Sequence, residues 1–238
     1  MFEIITVKKK SVCAAEQILW AIKGGAYKVG DKLPPERVLA EKMGISRPLI
    51  REALTALEIA GILESRPGDG TYVKKSLEGT TLEYQVLSLL EEEGDPIEAL
   101  EARAALEEGV ARLAAEKATK KDINRLREKI HAGKRALSNG DIEAFEEADR
   151  DFHLLLVRSC RNSMLEATLR PLLEVMETRL WKAMKKRYIE SADLEVTLRE
   201  HLCIVEAVEV RDGNSAARMM REHLQNSKAR LLGGTEGG

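Results

Sequence analysis

Past residue 80 the chain carries no strand signal, and its helical stretches are parted by breaks of only a few residues. The breaks are Gly94-Asp95-Pro96, Thr119, Asn139-Gly140-Asp141, Arg161-Asn162-Ser163 and Asp212-Gly213-Asn214. Connections this short leave a helix no choice but to fold back on its predecessor. The helical pattern covers about 81–92, 96–117, 120–138, 141–158, 163–187, 191–211 and 214–231, so the fold expected over 81–232 is an all-α antiparallel bundle of six to seven helices. Composition agrees: aromatic residues are 4% of the chain, and Ala, Leu, Glu, Lys and Arg, all good helix formers, abound. A hydrophobic content of 44% in 238 residues is enough for a substantial core.

The first 75 residues follow a different pattern. Ala14, Ile18, Leu19 and Ile22 recur at helical spacing, and Gly24-Gly25 ends that run. Pro35 starts a short helix over Glu36 to Met43, which Gly44 stops. Ser46 then caps a third helix whose apolar residues are Leu49, Ile50, Ala53, Leu54 and Leu57. Pro48 is tolerated because it falls in the first turn. Ile62 to Ser65 and Thr71 to Val73 read as two strands joined by Arg66-Pro67-Gly68-Asp69-Gly70. Three helices and a β-hairpin in this order are a winged helix-turn-helix. The expected division is 1–75 for this domain, 76–80 for a linker, 81–232 for the bundle and 233–238 for a disordered tail.

The net charge of −2 conceals an asymmetry. Residues 1–75 hold 13 Lys and Arg against 9 Asp and Glu, and the rest hold 25 against 31. A basic front on an acidic body points to a polyanion at the front only. Arg47 and Arg51 are four apart, on one face at the start of the third helix, where bidentate contact with guanine is worth roughly 1–3 kcal/mol of discrimination. Arg37 in the preceding helix suits a phosphate or a base. The helix start at Ser46 offers backbone N–H groups to phosphate, and Gly68 lets the wing tip approach the duplex. Any one of these arginines alone reads as solvated charge; the ordered set reads as a surface for double-stranded DNA.

Three of the four histidines form a pattern in the bundle. Asp149 and His153 are four apart, hence on one helical face. His201 and His223 each lie eleven residues from Asp212, so a fold-back at that break brings them to the same height. Three imidazoles and a carboxylate at one level of a bundle would hold a first-row transition metal. Spacing alone leaves that reading level with ordinary core histidines. His131 flanks an apolar stripe without an acidic partner and reads as an ordinary flank residue.

Cys13, Cys160 and Cys203 form no CxxC pair, and an odd count implies no disulfide framework. Reduced thiols, the absence of a signal-peptide pattern and the absence of a membrane-length apolar run give a cytoplasmic expectation without a membrane partner.

The run from Leu33-Pro34-Pro35-Glu36-Arg37 through Gly44-Ile45-Ser46-Arg47 and Arg51-Glu52-Ala53-Leu54, followed by Gly61-Ile62-Leu63 and Arg66-Pro67-Gly68-Asp69-Gly70-Thr71-Tyr72-Val73, resembles the DNA-binding domain of the GntR family of bacterial regulators. Glu101-Ala102-Arg103 to Glu107, Asp149 to His153, Glu200-His201 and Glu222-His223 resemble the helical ligand domain (FCD) of its FadR subfamily. The resemblance spans nearly the whole chain. It implies a homodimer, operator DNA read through Arg37, Arg47 and Arg51, and a wing contact near Gly68. It also implies a divalent metal on Asp149, His153, His201 and His223, zinc first, with nickel or manganese as alternatives. Arg103 would clamp the carboxylate of a small effector of the lactate, sugar-acid or dicarboxylate class; its other reading is an exposed partner of Glu107. Asn226 shares a face with His223 and would either bond an effector hydroxyl or line the core. The function implied is a repressor and not an enzyme. A metal-dependent enzyme fused to a DNA-binding domain is the competing class, disfavoured because Asp151 points away from Asp149 and no spare general base remains.

Overall fold

The computed structural model describes residues 9–75, Val86, Leu90 and 96–231. The linker 76–80, nearly all of the helix expected over 81–92 and the tail 233–238 lie outside the described residues; Val86 and Leu90 are helical and fully buried. The order of elements is α1 (Lys10–Lys23), α2 (Glu36–Met43), α3 (Arg47–Ile59), β1 (Leu63–Arg66), β2 (Gly70–Val73), α4 (Pro96–Lys117), α5 (Lys120–Ser138), α6 (Ile142–Ser159), α7 (Ser163–Glu174), a 3-10 turn (Val175–Glu177), α8 (Arg179–Tyr188), α9 (Ser191–Glu209) and α10 (Gly213–Leu231). No helix among the described residues is long and apolar enough to cross a membrane. Contacts divide the chain into two compact units, Met1–Gly94 with Thr178–Arg187, and Asp95–Glu177 with Tyr188–Gly238.

The first unit is a winged helix-turn-helix. Ile18 and Leu19 of α1 and Ile50, Leu54 and Leu57 of α3 are buried with Ile62 and Leu63. Gly44 closes α2 in the left-handed region at φ 65°, the conformation glycine adopts without strain, and the chain then turns sharply into α3. Ser46 occupies the N-cap of α3 as expected, but its hydroxyl makes no cap hydrogen bond; Pro48 in the first turn removes a donor that would otherwise need one. The strands pair antiparallel from Leu63 with Val73 to Arg66 with Gly70.

The helix expected over 163–187 is interrupted. α7 carries Pro171 inside it and ends at Glu174, and a new helix starts at Arg179, with the Thr178 hydroxyl accepting from the Trp181 N–H at 3.3 Å. A threonine able to cap a restart ends the long periodic run in two helices. α8 packs with the first unit, where the Arg187 guanidinium donates to Glu58 Oε2 at 2.6 Å and to Thr71 Oγ1 at 2.9 Å.

In the second unit, α4 packs chiefly on α10, α5 on α6, and α9 on both α10 and α5. The short breaks work through side-chain caps. Thr119 and Asp122 form a reciprocal capping box at the start of α5, Asp141 accepts from the Ala144 N–H at 3.0 Å, and Asn162 from Met164 at 3.0 Å. At the last fold-back Arg211 takes a left-handed φ of 63° and donates to the Ala115 carbonyl of α4, while Asp212 caps Ser215. That turn sets the register of α9 against α10. Phe145 and Phe152 of α6 are among the largest fully buried side chains, and each such ring contributes about 1.5–3 kcal/mol by leaving water.

Candidate metal centre and nucleic-acid interface

The register set at Asp212 brings His201 and His223 together, with Nε2 atoms 3.2 Å apart. α6 supplies His153 from the facing side. One ligand atom from each of His153, His201 and His223 lies within 4.8 Å of the others, and all three residues are buried. Asp149 Oδ1 stands 3.7 Å from His201 Nε2, so the four residues paired by spacing do converge. His131 is not among them; it is exposed and lines a separate groove of about 610 Å³ with Ile130, Lys134 and Leu198.

The ring atoms are sorted. His153 Nδ1 faces Glu107 Oε2 at 2.5 Å, while His153 Nε2 is buried without a hydrogen-bond partner. His223 Nδ1 faces Glu200 Oε2 at 2.8 Å, and its Nε2 turns toward His201. Phe152 stacks on the His201 ring at 3.9 Å. A buried imidazole nitrogen with nothing to bond is costly, of the order of 1–3 kcal/mol, and needs a reason. Metal–imidazole bonds of about 2.0–2.1 Å place two nitrogens about 2.8–3.4 Å apart between octahedral and tetrahedral angles, and the His201–His223 separation of 3.2 Å falls within that range. The donor set therefore fits a divalent transition metal.

Burial drives the His201 pKa well below its ordinary value of 6.5, assisted by the neighbouring His223. Burial likewise lowers His223, against the pull of Glu200. Neutral imidazoles are the form a metal requires. Burial would raise Glu107, but Arg103 and His153 more than offset it and hold the carboxyl at about 2. Glu200 is also held at about 2, burial being outweighed by hydrogen bonds from His223 and Arg230.

Arg103 is 4% exposed and donates Nε to Glu107 Oε1 at 2.7 Å, while its Nη2 is buried with no partner. The Arg103–Glu107 pair, one of the two readings of Arg103, is therefore present but deeply buried rather than exposed. Asn226 is exposed and donates to Glu200 Oε1 at 2.8 Å, so it does not line the core. The placement of Glu107 and Glu200 behind the imidazoles, and Arg230 altogether, are not legible in the sequence pattern alone. The antiparallel register that pairs His201 with His223 also sets Thr197 level with Ser227, fifteen residues either side of Asp212, and Arg230 bonds both. That was the available signal.

In the first unit Arg37 is exposed and pairs with Glu41 at 2.5 Å on its own helix. Arg47 is partly exposed, and its buried Nε has no partner. Arg51 differs from expectation: it is 5% exposed, its Nε bonded to Glu36 Oε2 at 2.8 Å. One turn further into α3 than Arg47, Arg51 lies beside the start of α2, where Glu36 takes its guanidinium. Gly68 sits at the wing tip with φ 71°, and added bulk there would meet nothing; the backbone turn is what it supplies. Behind the tip, Asp69 accepts from Lys32 Nζ at 2.8 Å and from the Tyr72 hydroxyl at 2.7 Å, and the Arg66 guanidinium lies 4.1 Å from the Tyr72 ring centre.

Residues 11–73 match the family of bacterial regulatory proteins named gntR, and residues 98–226 match the FCD domain. The chain belongs to the GntR family. The HTH-type transcriptional regulator LutR of Bacillus subtilis is 36% identical, over 89% of this chain and 96% of its own length. The Uxu operon regulator of Haemophilus influenzae is 34% identical, over 89% and 77%. The solved structure of Escherichia coli McbR/YncC, 22% identical, shares the fold with a TM-score of 0.51 across 94% of this chain and 98% of that one. This GntR protein is accordingly a transcriptional regulator: a DNA-binding winged helix-turn-helix joined to an FCD effector-binding domain.

Proposed function

We propose that this GntR regulator is a homodimeric, sequence-specific repressor whose FCD domain holds a divalent transition metal, zinc first, on Asp149, His153, His201 and His223, and binds a small carboxylate effector beside it. The observation that carries the reading is His153 Nε2, buried, unpartnered and grouped with two other imidazoles. A divalent ion on three neutral imidazoles and one carboxylate retains net positive charge, and three His with one Asp leave coordination positions for a carboxylate. Arg103 keeps its buried Nη2 N–H groups for the same ligand, since Glu107 takes only its Nε. Asn226 leaves its side-chain carbonyl for an effector hydroxyl. Arg37, Arg47, Arg51, Ser46 and Gly68 form the operator-facing set, with Glu41 and Glu36 giving way to DNA at Arg37 and Arg51.

Elemental analysis of purified protein, followed by calorimetry with lactate, gluconate and malate on metal-loaded and chelated samples, tests the reading. One metal per chain and carboxylate binding that requires it are expected. Equal carboxylate binding by chelated protein would reduce the metal to a structural staple, and absence of metal would remove it.

A further inference from the structure

Two of the three buried imidazoles stand at the end of matching chains of contacts. On one side Arg103 bonds Glu107, which faces His153 Nδ1; on the other Arg230 bonds Glu200, which faces His223 Nδ1. The two come from different helices, α4 to α6 and α10 to α9. The second is the more heavily built. Glu200 Oε1 accepts from Asn226 Nδ2 at 2.8 Å and from Arg230 Nη1 at 3.1 Å, and Oε2 accepts from Arg230 Nη2 at 3.0 Å and faces His223 at 2.8 Å. Arg230 is in turn held by Thr197 and Ser227.

An ionised carboxylate only accepts, so His223 Nδ1 must carry the proton in that contact. The lone pair of the ring then lies on Nε2, on the side of His201 and His153. Within the His201–His223 contact one Nε2 must donate. Since the proton of His223 is committed to Glu200, His201 is the donor. A divalent ion placed there needs a lone pair at both Nε2 atoms, so His201 must carry its proton on Nδ1 once the ion is bound.

We propose, resting on the metal reading above, that Glu200 and Arg230 are positioning residues that lock His223 in its Nδ1-protonated form and so aim its Nε2 lone pair at the metal. The outermost member, Arg230, lies in the last described turn of the chain. Carboxylates behind metal-bound histidines commonly tune affinity by about 10–100-fold.

Glu200→Gln is the decisive variant, because it keeps size and changes donor chemistry. Arg230 donates to both carboxylate oxygens, and Asn226 adds a second donor at Oε1, so two donors against one seat the amide oxygen at the Oε1 position and leave the NH₂ group facing His223 Nδ1. That amide donates where the carboxylate accepted, and the His223 proton moves to Nε2. In the metal-free protein, long-range ¹H–¹⁵N correlation spectra of the imidazoles are expected to show His223 protonated at Nδ1 in the wild type and at Nε2 in Glu200→Gln. Zinc competition against a chromophoric chelator is expected to give a 10–100-fold weaker constant for the variant. Arg230→Met is expected to weaken zinc in the same direction, with partial recovery in Arg230→Lys, while circular dichroism stays that of the wild type. An Nε2-protonated His223 in the wild type, or unchanged zinc affinity in Glu200→Gln, overturns the proposal. The spectra need no metal: a wild type that binds no zinc but shows the tautomer change condemns the metal reading and leaves the lock standing.

Discussion

Arg51 of the recognition helix is joined to Glu36 at the first residue of the preceding helix, Nε to Oε2 at 2.8 Å, with the arginine side chain 7% exposed. The pair clamps α3 to α2, so on the proposed reading Arg51 would serve both the domain and DNA, and Arg47 DNA alone. Arg47→Ala is expected to leave the melting temperature unchanged and to cost about 1–3 kcal/mol on the preferred duplex, with little change on scrambled DNA. Arg51→Ala should lower both stability and specific binding. Duplexes selected from a random pool, titrated by gel shift, and thermal melts separate the two; equal weakening on both DNAs would assign Arg47 to phosphate.

His201→Ala removes the imidazole that contacts both His223 and Asp149. Metal content is expected to fall from one per chain toward zero. In the wild type, zinc affinity should drop as acid protonates the ligands, beginning below the ordinary histidine value of 6.5 because burial lowers both His201 and His223. Elemental analysis of the variant and zinc titrations between neutral and mildly acidic pH check both; full metal content in His201→Ala would reject the four-residue site.

Arg103→Ala should act twice. Loss of a charge-assisted clamp of about 1.5–3 kcal/mol predicts effector binding weaker by roughly one to two orders of magnitude. The variant also leaves Glu107, fully buried, without its guanidinium, a change that costs about 3–5 kcal/mol in comparable buried pairs. Paired measurement of effector affinity and urea stability is expected to show both losses; an effector constant equal to that of the wild type would leave Arg103 purely structural.

Asp122 caps α5 and receives Arg161 at 2.6 Å. Burial would raise its pKa, but the Thr119 hydroxyl and backbone and then Arg161 lower it below 3.8. A carboxylate depressed on folding stabilises above its unfolded pKa and loses that contribution as pH falls through the folded one. Wild type should therefore exceed Asp122→Asn by about 0.5–2 kcal/mol at neutral pH, the scale of a helix cap. The gap should close as pH falls below 3.8. Urea melts across that range read the difference directly, and a gap independent of pH would contradict the assignment.

One winged domain buries little duplex, and two-fold symmetry doubles the footprint. Light scattering at micromolar concentration is expected to give the mass of two chains, with a pseudo-palindromic selected site; a monomer with full site affinity would count against the dimer.

Helix order, the hairpin and the histidine convergence were legible because each follows from short-range rules. Glycine stops at 24 and 44, a cap residue at 46, period-four spacing of Asp149 and His153, and equal arms about Asp212 need no knowledge of the rest of the molecule. The burial of Arg51 under Glu36 was not legible, since it depends on how far α3 rotates against α2. Nor was the break at Thr178: the apolar period runs on through it, and only tertiary packing decides whether a potential cap is used. The carboxylates behind the imidazoles were hidden for a related reason. Glu107 and Glu200 look like any surface glutamate in a chain that is 33% charged until three-dimensional burial separates them from the rest.

The grouping of Thr178–Arg187 with the first unit makes the DNA-binding part of this regulator discontinuous along the chain. A fragment that stops at residue 75 would expose the surfaces of Glu58 and Thr71 that Arg187 covers, and an exchange of front ends between relatives would pair each recognition helix with a foreign α8. Inheritance by simple cassette is closed to such an architecture: the recognition helix and the late segment that packs on it must vary in step.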